Sequence, residues 1–298
     1  MPAKPKLRGR CHFAEPLAPY TTWRVGGVAD RLYQPADVAD LGFFLSQLST
    51  DEPLFWLGLG SNLLVRDRGI RGTVIATHGA LQELSLIDPQ TLRVEVGVPC
   101  AKVARFSAYH NLCGIEFLAG IPGVMGGALA MNAGAWGGEL WSYVTVVETI
   151  DRYGEIRKRQ VGEYEIGYRS VKGPDEEWFI AAYLRLKPGD GKAALKYMRE
   201  LLVRRSQTQP TGVPSCGSVF RNPPGDFAAR LIEAAGLKGM RLGAALVSPK
   251  HANFIINTGN AKAAELEGLI RRVIETVERV HSVQLLPEVR FVGEHGKC

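Results

Sequence analysis

The spacing of hydrophobic positions changes near Pro188-Gly189. Before this point, short apolar runs are bounded by glycine and proline, which is typical of strands. After it, apolar residues recur every three or four positions, as on one face of a helix. The predicted strands cover residues 29–34, 53–57, 63–65, 72–77, 92–97, 144–150, 155–160, 178–187, 246–248, 254–257 and 288–292. The predicted helices cover residues 36–48, 101–111, 193–205, 227–235 and 261–280.

These elements predict an α+β protein with one boundary, which separates a domain of residues 1–188 from a smaller domain of residues 189–298. Two helix starts carry residues that favour an N-cap. Asp226 is the predicted cap of the helix at 227–235, and Thr258 or Asn260 is the predicted cap of the helix at 261–280.

A stretch of small residues over 114–138 is the most unusual part of the pattern. It is dense in glycine and alanine and holds no lysine, arginine or histidine. Such a stretch is either a tight crossing in the core or a wall of backbone N–H groups facing a phosphate or a flat cofactor. The residues of this stretch alone favour neither interpretation.

A second glycine motif, Gly58-Leu59-Gly60-Ser61-Asn62, follows an apolar strand. Glycine loops after strands bind phosphates in many folds. A single G-x-G is weak support, and Gly69 comes too late to complete a dinucleotide-binding G-x-G-x-x-G. The pattern therefore excludes a Rossmann start.

Composition narrows the class of protein. Among the 298 residues, 46% are hydrophobic and 22% charged, and no apolar run reaches the ~20 residues that span a bilayer. The basic N-terminus lacks an apolar leader segment, and the five scattered cysteines predict neither a zinc site nor disulfides. We therefore expect a cytoplasmic protein. The net charge of +6 favours an anionic small-molecule substrate, with nucleic-acid binding as the alternative.

Six separated motifs resemble the UDP-N-acetylenolpyruvoylglucosamine reductase (MurB) family of flavoenzymes, and the resemblance extends from about residue 21 to residue 292. They are T-T-W-R-V-G-G at 21–27, G-L-G-S-N-L-L-V at 58–65, G-I-P-G-V-M-G-G-A-L-A-M-N-A-G-A-W-G at 120–137, G-Y-R-S at 167–170, S-C-G-S-V-F-R-N-P at 215–223 and L-P-E-V-R-F at 286–291. The resemblance implies an FAD-binding domain of the p-cresol methylhydroxylase and vanillyl-alcohol oxidase type, followed by a smaller α+β substrate-binding domain.

The resemblance also implies the ligands. FAD is bound non-covalently, NADPH is the co-substrate, and an enolpyruvyl sugar nucleotide, UDP-N-acetylglucosamine enolpyruvate, is reduced to UDP-N-acetylmuramate for peptidoglycan synthesis. The implied cofactor-binding residues are Gly58, Leu59, Gly60, Ser61, Asn62, Ile121, Pro122, Gly123, Gly126, Gly127, Asn132, Ala133 and Gly134. Trp136 packs either near the flavin ring or in the core.

Three catalytic residues follow from the same motifs. Ser218 is the implied donor of a proton to C2 of the substrate, and Arg169 and Glu288 are the implied neighbours of its carboxylate. Arginine makes a charge-assisted contact to a carboxylate, and a glutamic acid donates a proton only if its pKa is raised. Read without the resemblance, the pattern favours a turn hydroxyl for Ser218 and a solvated carboxylate for Glu288, whereas Arg169 is equally a surface ion pair.

The motifs specify the substrate-binding residues less closely than the catalytic residues. Tyr168, Asn222 and His251 are the implied substrate-binding residues, and Cys216 is interpreted as a packed small residue. The short gap between Arg169 and Ser218 resembles the second, shorter type of the family, which leaves open what covers the nucleotide. Arg204, Arg205 and Lys250 are candidate contacts of its diphosphate.

Two rival classes remain. One is an oxidase of the same flavin fold, in which FAD is often attached to a histidine or cysteine; none of the six histidines lies in the two glycine motifs, which disfavours it. The other is a basic nucleic-acid-binding protein. We expect a monomer with small-molecule partners, no bound metal, and no nucleic-acid or membrane partner.

Overall fold

The computed structural model describes residues 6–294 and contains two compact units. The first unit comprises residues 6–12, 31–59 and 72–203, and the second comprises residues 13–30, 60–71 and 204–294. Residues 1–5 of the basic N-terminus and Cys298 lie outside the described residues. The assignment of residues 1–188 and 189–298 to a cofactor and a substrate domain stays a prediction.

Six α-helices occur in the described chain. They are α1 (Val38–Ser46), α2 (Cys100–Tyr109), α3 (Met125–Ala130), α4 (Gly191–Thr208), α5 (Ala228–Ala234) and α6 (Ala263–His281). Short 3-10 helices cover Ala18–Tyr20, Glu116–Gly120, Leu140–Ser142 and Val161–Glu163. Each of the five helices predicted from periodicity is present, and α3 lies inside the small-residue stretch.

Twenty strands complete the secondary structure of residues 6–294. They are β1 (Arg10–Pro16), β2 (Val28–Gln34), β3 (Leu54–Leu57), β4 (Leu63–Val65), β5 (Ile70–Ala76), β6 (Leu84–Asp88), β7 (Thr91–Glu95), β8 (Leu112–Cys113), β9 (Gly134–Ala135), β10 (Gly138–Glu139), β11 (Val144–Asp151), β12 (Ile156–Gln160), β13 (Glu165–Gly167), β14 (Ser170–Lys172), β15 (Glu177–Arg185), β16 (Lys187–Pro188), β17 (Arg241–Leu242), β18 (Ala245–Val247), β19 (Ile255–Asn257) and β20 (Arg290–Val292). Strands β1 and β6 were not predicted, because exposed residues interrupt their apolar pattern. The two- and three-residue strands β8, β9, β10, β13, β14 and β17 were also not predicted, because they are too short to show a period.

The first unit is built on a five-stranded antiparallel sheet in the order β12-β11-β15-β7-β6. The two strands predicted at 144–150 and 155–160 pair as a hairpin, with Ile150 opposite Ile156 at its closed end. The inward side chains of β7, β11 and β15 form one apolar core with helices α2 and α3. A second sheet in the order β1-β2-β5-β3 contains the parallel pair β3 and β5.

The second unit contains the antiparallel sheet β17-β18-β19 and the parallel pair β4 and β20. The apolar stripe of α6, which includes Leu266 and Val273, is buried in its core. Trp23 is fully buried in the same core, and its indole N–H donates to the carbonyl of Ile255 over 2.8 Å. The segment around Trp23 thus packs with the chain's last third.

Both predicted helix caps are wrong. Phe227 is the N-cap of α5, and Asp226 instead accepts from the N–H of Phe227 over 2.7 Å. Lys262 is the N-cap of α6, whose first N–H groups donate to the two carboxylate oxygens of Asp67 over 2.9 and 3.0 Å. A carboxylate from a distant segment thus replaces the local cap, and it also complements the helix dipole.

No helix within residues 6–294 is long and apolar enough to cross a membrane. The four cysteines within the described part of the chain, Cys11, Cys100, Cys113 and Cys216, are free thiols. The same residues contain no cluster of histidine, cysteine and carboxylate side chains able to hold a metal ion.

Candidate active site

In the first unit, the two glycine motifs meet at Gly58. A Cβ added at Gly58 would lie 2.7 Å from the side chain of Val124, so any larger residue would require that side chain to shift. The segment after Val124 is fixed by hydrogen bonds from the N–H groups of Met125 and Gly126 to the carbonyls of Val98 and Val96, over 3.0 and 2.9 Å. The predicted cofactor residues of the two motifs are therefore neighbours in this unit.

Gly127 differs from the glycines around it. It is exposed on α3, and a Cβ added there would meet no atom within 4 Å. Its φ is not in the left-handed region, so neither packing nor backbone conformation requires glycine at this position. Open space over a glycine is what a closely approaching ligand needs. Of the other predicted residues here, Ile121 and Gly123 are half-buried and Pro122 is exposed.

In the second unit, Gly60 needs its glycine for a different reason. Its φ is +64°, and a Cβ would lie 2.2 Å from the carbonyl oxygen of Tyr20. The N–H groups of Gly60 and Ser61 have no hydrogen-bond acceptor within residues 6–294. Gly58 and Leu59 belong to the first unit, so the chain passes between the units inside this motif.

Asn132 was predicted to bind the cofactor, but protein groups occupy its side chain. The amide nitrogen donates to Glu139 over 2.9 Å and to the carbonyl of Gly167 over 3.2 Å. Its oxygen accepts from the N–H of Trp141 over 3.2 Å, and the residue is buried. The side chain thus joins the small-residue stretch to the G-Y-R-S turn. Neighbouring Ala133 is buried, and Gly134 begins β9.

Arg169 lies in the two-residue turn between β13 and β14, with φ of +53°. Its guanidinium donates to the carbonyl of Gly134 over 2.7 Å and lies 5.5 Å from the ring centre of Tyr168. The candidate catalytic arginine is therefore held beside predicted cofactor residues of the first unit. Tyr168 is 53% exposed, which leaves most of its ring accessible to a ligand.

Ser218 and Glu288 are brought together in the second unit. The N–H of Glu288 donates to the carbonyl of Val219, the residue after Ser218, over 2.8 Å. Within the described chain, the Ser218 hydroxyl makes no hydrogen bond. A Cβ at the preceding Gly217 would meet no atom within 4 Å, so the backbone beside Ser218 borders open space.

Asn62 connects the glycine loop to the same pair. Its amide nitrogen donates to the carbonyl of Glu288 over 3.0 Å, and its carbonyl accepts from the N–H of Arg290 over 3.0 Å. These contacts continue the parallel pairing of β4 with β20. The predicted phosphate loop and two predicted catalytic residues thus share one hydrogen-bonded segment.

The remaining predicted residues lie in the second unit. Asn222 is exposed, and its side-chain oxygen accepts from the N–H of Ala228 over 3.1 Å. His251 is half-buried with its ring edge-on to Phe254, and burial lowers its pKa. Burial, with a further contribution from the charge of Glu288, raises the pKa of the Cys216 thiol well above its usual range. Cys216 is therefore a buried neutral thiol, as a packing role requires.

Asn253 was missed by the sequence analysis. Its side chain holds the main chain of Phe220, two residues after Ser218, with both hydrogen bonds at 2.9 Å. Its only sequence signal is a polar residue between the apolar residues Ala252 and Phe254. A buried amide in such a run must form hydrogen bonds, but the neighbouring sequence does not indicate which residues are its partners.

Two family models match the chain. The model of the FAD binding domain matches residues 29–159, and the model of the UDP-N-acetylenolpyruvoylglucosamine reductase C-terminal domain matches residues 209–292. The predicted class, an α+β chain with an FAD-binding domain followed by a C-terminal domain of this family, is confirmed.

Relatives match nearly the whole chain. The UDP-N-acetylenolpyruvoylglucosamine reductase of Alkalilimnicola ehrlichii is 58% identical over 286 residues, which is 96% of each chain. That of Methylococcus capsulatus is 60% identical over 280 residues, covering 94% of this chain and 92% of the relative. The chain belongs to the UDP-N-acetylenolpyruvoylglucosamine reductase family. The crystal structure of UDP-N-acetylenolpyruvylglucosamine reductase (MurB) from Thermus caldophilus superposes with a TM-score of 0.82 at 33% identity, covering 96% of this chain and 99% of that one.

As a member of the reductase family, the chain uses FAD, and its residues fit that group. The unbonded N–H groups of Gly60 and Ser61 suit phosphate oxygens, which bind such donors. The open space over Gly127 suits a flat ring system. Trp136 packs against Gly120, where a Cβ would lie 2.2 Å from the indole ring, so this tryptophan has a packing role in its own unit.

Proposed function

We propose that this chain reduces the enolpyruvyl group of UDP-N-acetylglucosamine enolpyruvate to UDP-N-acetylmuramate with NADPH, and that Arg169, Ser218 and Glu288 carry the reaction. The reductase activity and its use of FAD and NADPH follow from family membership. The assignment of roles to these three residues is our own proposal. The observation that supports it best is the hydrogen bond that joins Glu288 to the residue after Ser218.

When bound, FAD would supply hydride transfer from NADPH to C3 of the substrate's double bond, and the N–H groups of Gly60 and Ser61 would hold its phosphates. Negative charge then develops at C2 and spreads into the substrate carboxylate. Ser218 donates a proton to C2, which completes the addition of one hydride and one proton across the double bond. A proton from solvent then restores the serine hydroxyl. A hydroxyl engaged by no protein acceptor is free to direct its proton at a substrate atom.

Arg169 stabilises the charge that develops on the carboxylate, because a guanidinium contact strengthens as negative charge grows. Its donation to the carbonyl of Gly134 and its position beside Tyr168 restrict the guanidinium's orientation. Glu288 acts as a proton or hydrogen-bond donor in its protonated form. Its main chain is held on both sides, by Val219 and by Asn62, which fixes where its carboxyl group projects.

The substrate contacts extend this proposal. Tyr168, Asn222 and His251 contact the substrate, and Arg204, Arg205 and Lys250 contact its diphosphate. Asn222 is exposed, and the N–H of Ala228 uses only its side-chain oxygen. Its amide nitrogen can therefore donate to the substrate, which supports this contact. Support for His251 is a ring that burial keeps neutral near pH 7 and able to accept or donate.

The setting of the reaction is a proposal of the same kind. We infer a monomeric cytoplasmic enzyme with small-molecule partners, which supports cell-wall growth, cell shape and division through peptidoglycan precursors. The free state of the four described cysteines supports a reducing compartment.

Anaerobic half-reactions test the function. The purified protein should be yellow, NADPH should bleach it, and the enolpyruvyl sugar nucleotide should restore the colour. A reduced flavin that persists in the presence of the substrate would contradict the reductase activity. If the enzyme instead oxidised an alcohol with oxygen as the acceptor, it would be an oxidase of the same fold. A colourless protein would favour nucleic-acid binding.

A further inference from the structure

The side chain of Asn253 pairs with both main-chain groups of Phe220. Its oxygen accepts from the N–H of Phe220, and its nitrogen donates to the carbonyl of the same residue, each over 2.9 Å. The carbonyl of Asn253 also accepts from the N–H of Val219 over 2.9 Å. Three hydrogen bonds from one residue therefore hold the two positions that follow Ser218.

An amide side chain is well suited to this task. It carries one acceptor and a donor group on the same plane, which matches the N–H and C=O of a peptide. Asn253 is 4% exposed and Phe220 is 2% exposed, so water cannot replace a lost bond. A carboxylate at the same position accepts but does not donate, and it leaves the Phe220 carbonyl unpaired.

The opposite edge of the segment faces the chain segment 286–288, which precedes β20 and includes Glu288. The Val219 carbonyl accepts from the N–H of Glu288 over 2.8 Å, and the N–H of Arg221 donates to the carbonyl of Leu286 over 2.9 Å. The segment 219–221 thus lies between Asn253 on one side and residues 286–288 on the other. Loss of the Asn253 side chain leaves both main-chain groups of Phe220 unpaired, whereas the carbonyl of Asn253 still accepts from the N–H of Val219, the residue that adjoins Ser218.

We propose that Asn253 is a positioning residue, which holds the Ser218 hydroxyl at the substrate through the main chain of Val219 and Phe220. This inference rests on the proposed role of Ser218 as the proton donor. Asn253 acts only in the half-reaction that consumes the substrate, because NADPH oxidation requires no proton from Ser218. A displacement of about 1 Å in a reacting group costs about 10²-fold in rate.

The test is a double-mutant cycle of Asn253→Asp and Ser218→Ala in the FAD-loaded full chain. Stopped-flow absorbance measures flavin reduction by NADPH and reoxidation by the enolpyruvyl sugar nucleotide for each variant. Asn253→Asp alone should slow reoxidation about 10²-fold and leave flavin reduction within about twofold of wild type. On the Ser218→Ala background, the same change should cost no more than about twofold in reoxidation.

Asn257→Asp is the matched control. Asn257 is 5% exposed in the same unit, and its side chain pairs with the Trp23 carbonyl and the N–H groups of Gly259 and Ala261. Within residues 6–294, none of its side-chain hydrogen bonds reaches residues 218–220. Asn257→Asp therefore reproduces the cost of a buried carboxylate without disturbing that segment. Asn257→Asp should lower the melting temperature and leave the reoxidation rate within about twofold.

Three outcomes overturn the inference. Losses that multiply between Asn253→Asp and Ser218→Ala show that Asn253 does not act through Ser218. An equal loss in both half-reactions shows a purely structural role. A wild-type protein whose reduced flavin the substrate does not reoxidise overturns the proposed function itself. If Asn253→Asp does not fold, Asn253→Ala carries the same cycle, since it removes both side-chain hydrogen bonds to Phe220 without burying a charge.

Discussion

The main-chain N–H of Glu288 donates a hydrogen bond to the carbonyl oxygen of Val219 over 2.8 Å. Through this bond, the residue after Ser218 is tied to a candidate acid 69 positions further along the chain. The bond uses main-chain atoms only, so the two side chains can be changed without breaking it. The side chains of Ser218 and Glu288 can therefore be substituted while this main-chain hydrogen bond stays in place.

Ser218→Ala should leave flavin reduction by NADPH nearly intact and slow reoxidation by the substrate. A general acid contributes about 10²–10⁴-fold to such a step, and the loss should reach or exceed this range if the hydroxyl is the sole donor. Single-turnover absorbance in each half-reaction measures the effect. Equal losses in the two half-reactions would assign Ser218 a structural role instead.

Glu288→Gln should slow reoxidation by about 10²-fold or more while FAD content stays at the wild-type level. The amide preserves the size of the side chain, and the contacts to Val219 and Asn62 involve only the main chain of Glu288. Glu275→Gln, on the exposed face of α6, is the control and should change neither half-reaction. A wild-type reoxidation rate in Glu288→Gln would remove Glu288 from the catalytic set.

Gly127→Ala should weaken FAD binding without destabilising the apoprotein. Alanine is favoured over glycine within a helix by about 1 kcal/mol, and the added methyl meets no protein atom within 4 Å. Flavin fluorescence titration and urea unfolding of the apoprotein measure the two effects.

Gly162→Ala provides the control for that substitution, since its Cβ also meets no atom within 4 Å and its φ is not left-handed. It should leave FAD affinity unchanged. Wild-type affinity in Gly127→Ala as well would show that the open space over Gly127 is not occupied by the flavin.

Glu177→Gln should destabilise the protein at pH 7, and the difference from wild type should vanish towards pH 2. Arg159, hydrogen-bonded to Glu177, lowers the pKa of this carboxyl to about 2, and the hydroxyl of Thr149 also donates to it over 2.7 Å. A carboxyl whose pKa is lower in the folded state stabilises the fold above its unfolded pKa of about 4.3, and this stabilisation is lost as pH falls.

Urea unfolding midpoints of wild type and Glu177→Gln between pH 7 and pH 2 measure this effect. We expect a difference of about 1–3 kcal/mol at pH 7, as for hydrogen bonds to charged groups. Glu165→Gln is the control, because its ion pair with Lys172 spans 3.7 Å between side chains that are 83% and 75% exposed. A pH-independent difference for Glu177→Gln would contradict the assignment.

Local patterns predicted most of the secondary structure and the identity of the motifs. Apolar periodicity is a local property, so α2, α4 and α6 were predicted from sequence to within a few residues at their N-termini and C-termini. The glycine motifs were recognisable because close approach and left-handed backbone restrict the choice of residue, as at Gly58 and Gly60. Strand β1 was missed because its residues are mostly exposed and carry no apolar alternation, and strands of two or three residues, such as β9 and β13, are too short to show a period.

The sequence by itself determined which residues are candidates for chemistry, and the tertiary structure decided which of them are neighbours. Asn62 pairs with Glu288 across 226 positions, and Asp67 caps α6 across 196. The role of Asn253 could be inferred only from its hydrogen bonds to Phe220 in the structure. Pairings of this kind depend on which distant segments the fold brings together. The sequence around a hydrogen-bonding side chain does not indicate the partner with which it will bond.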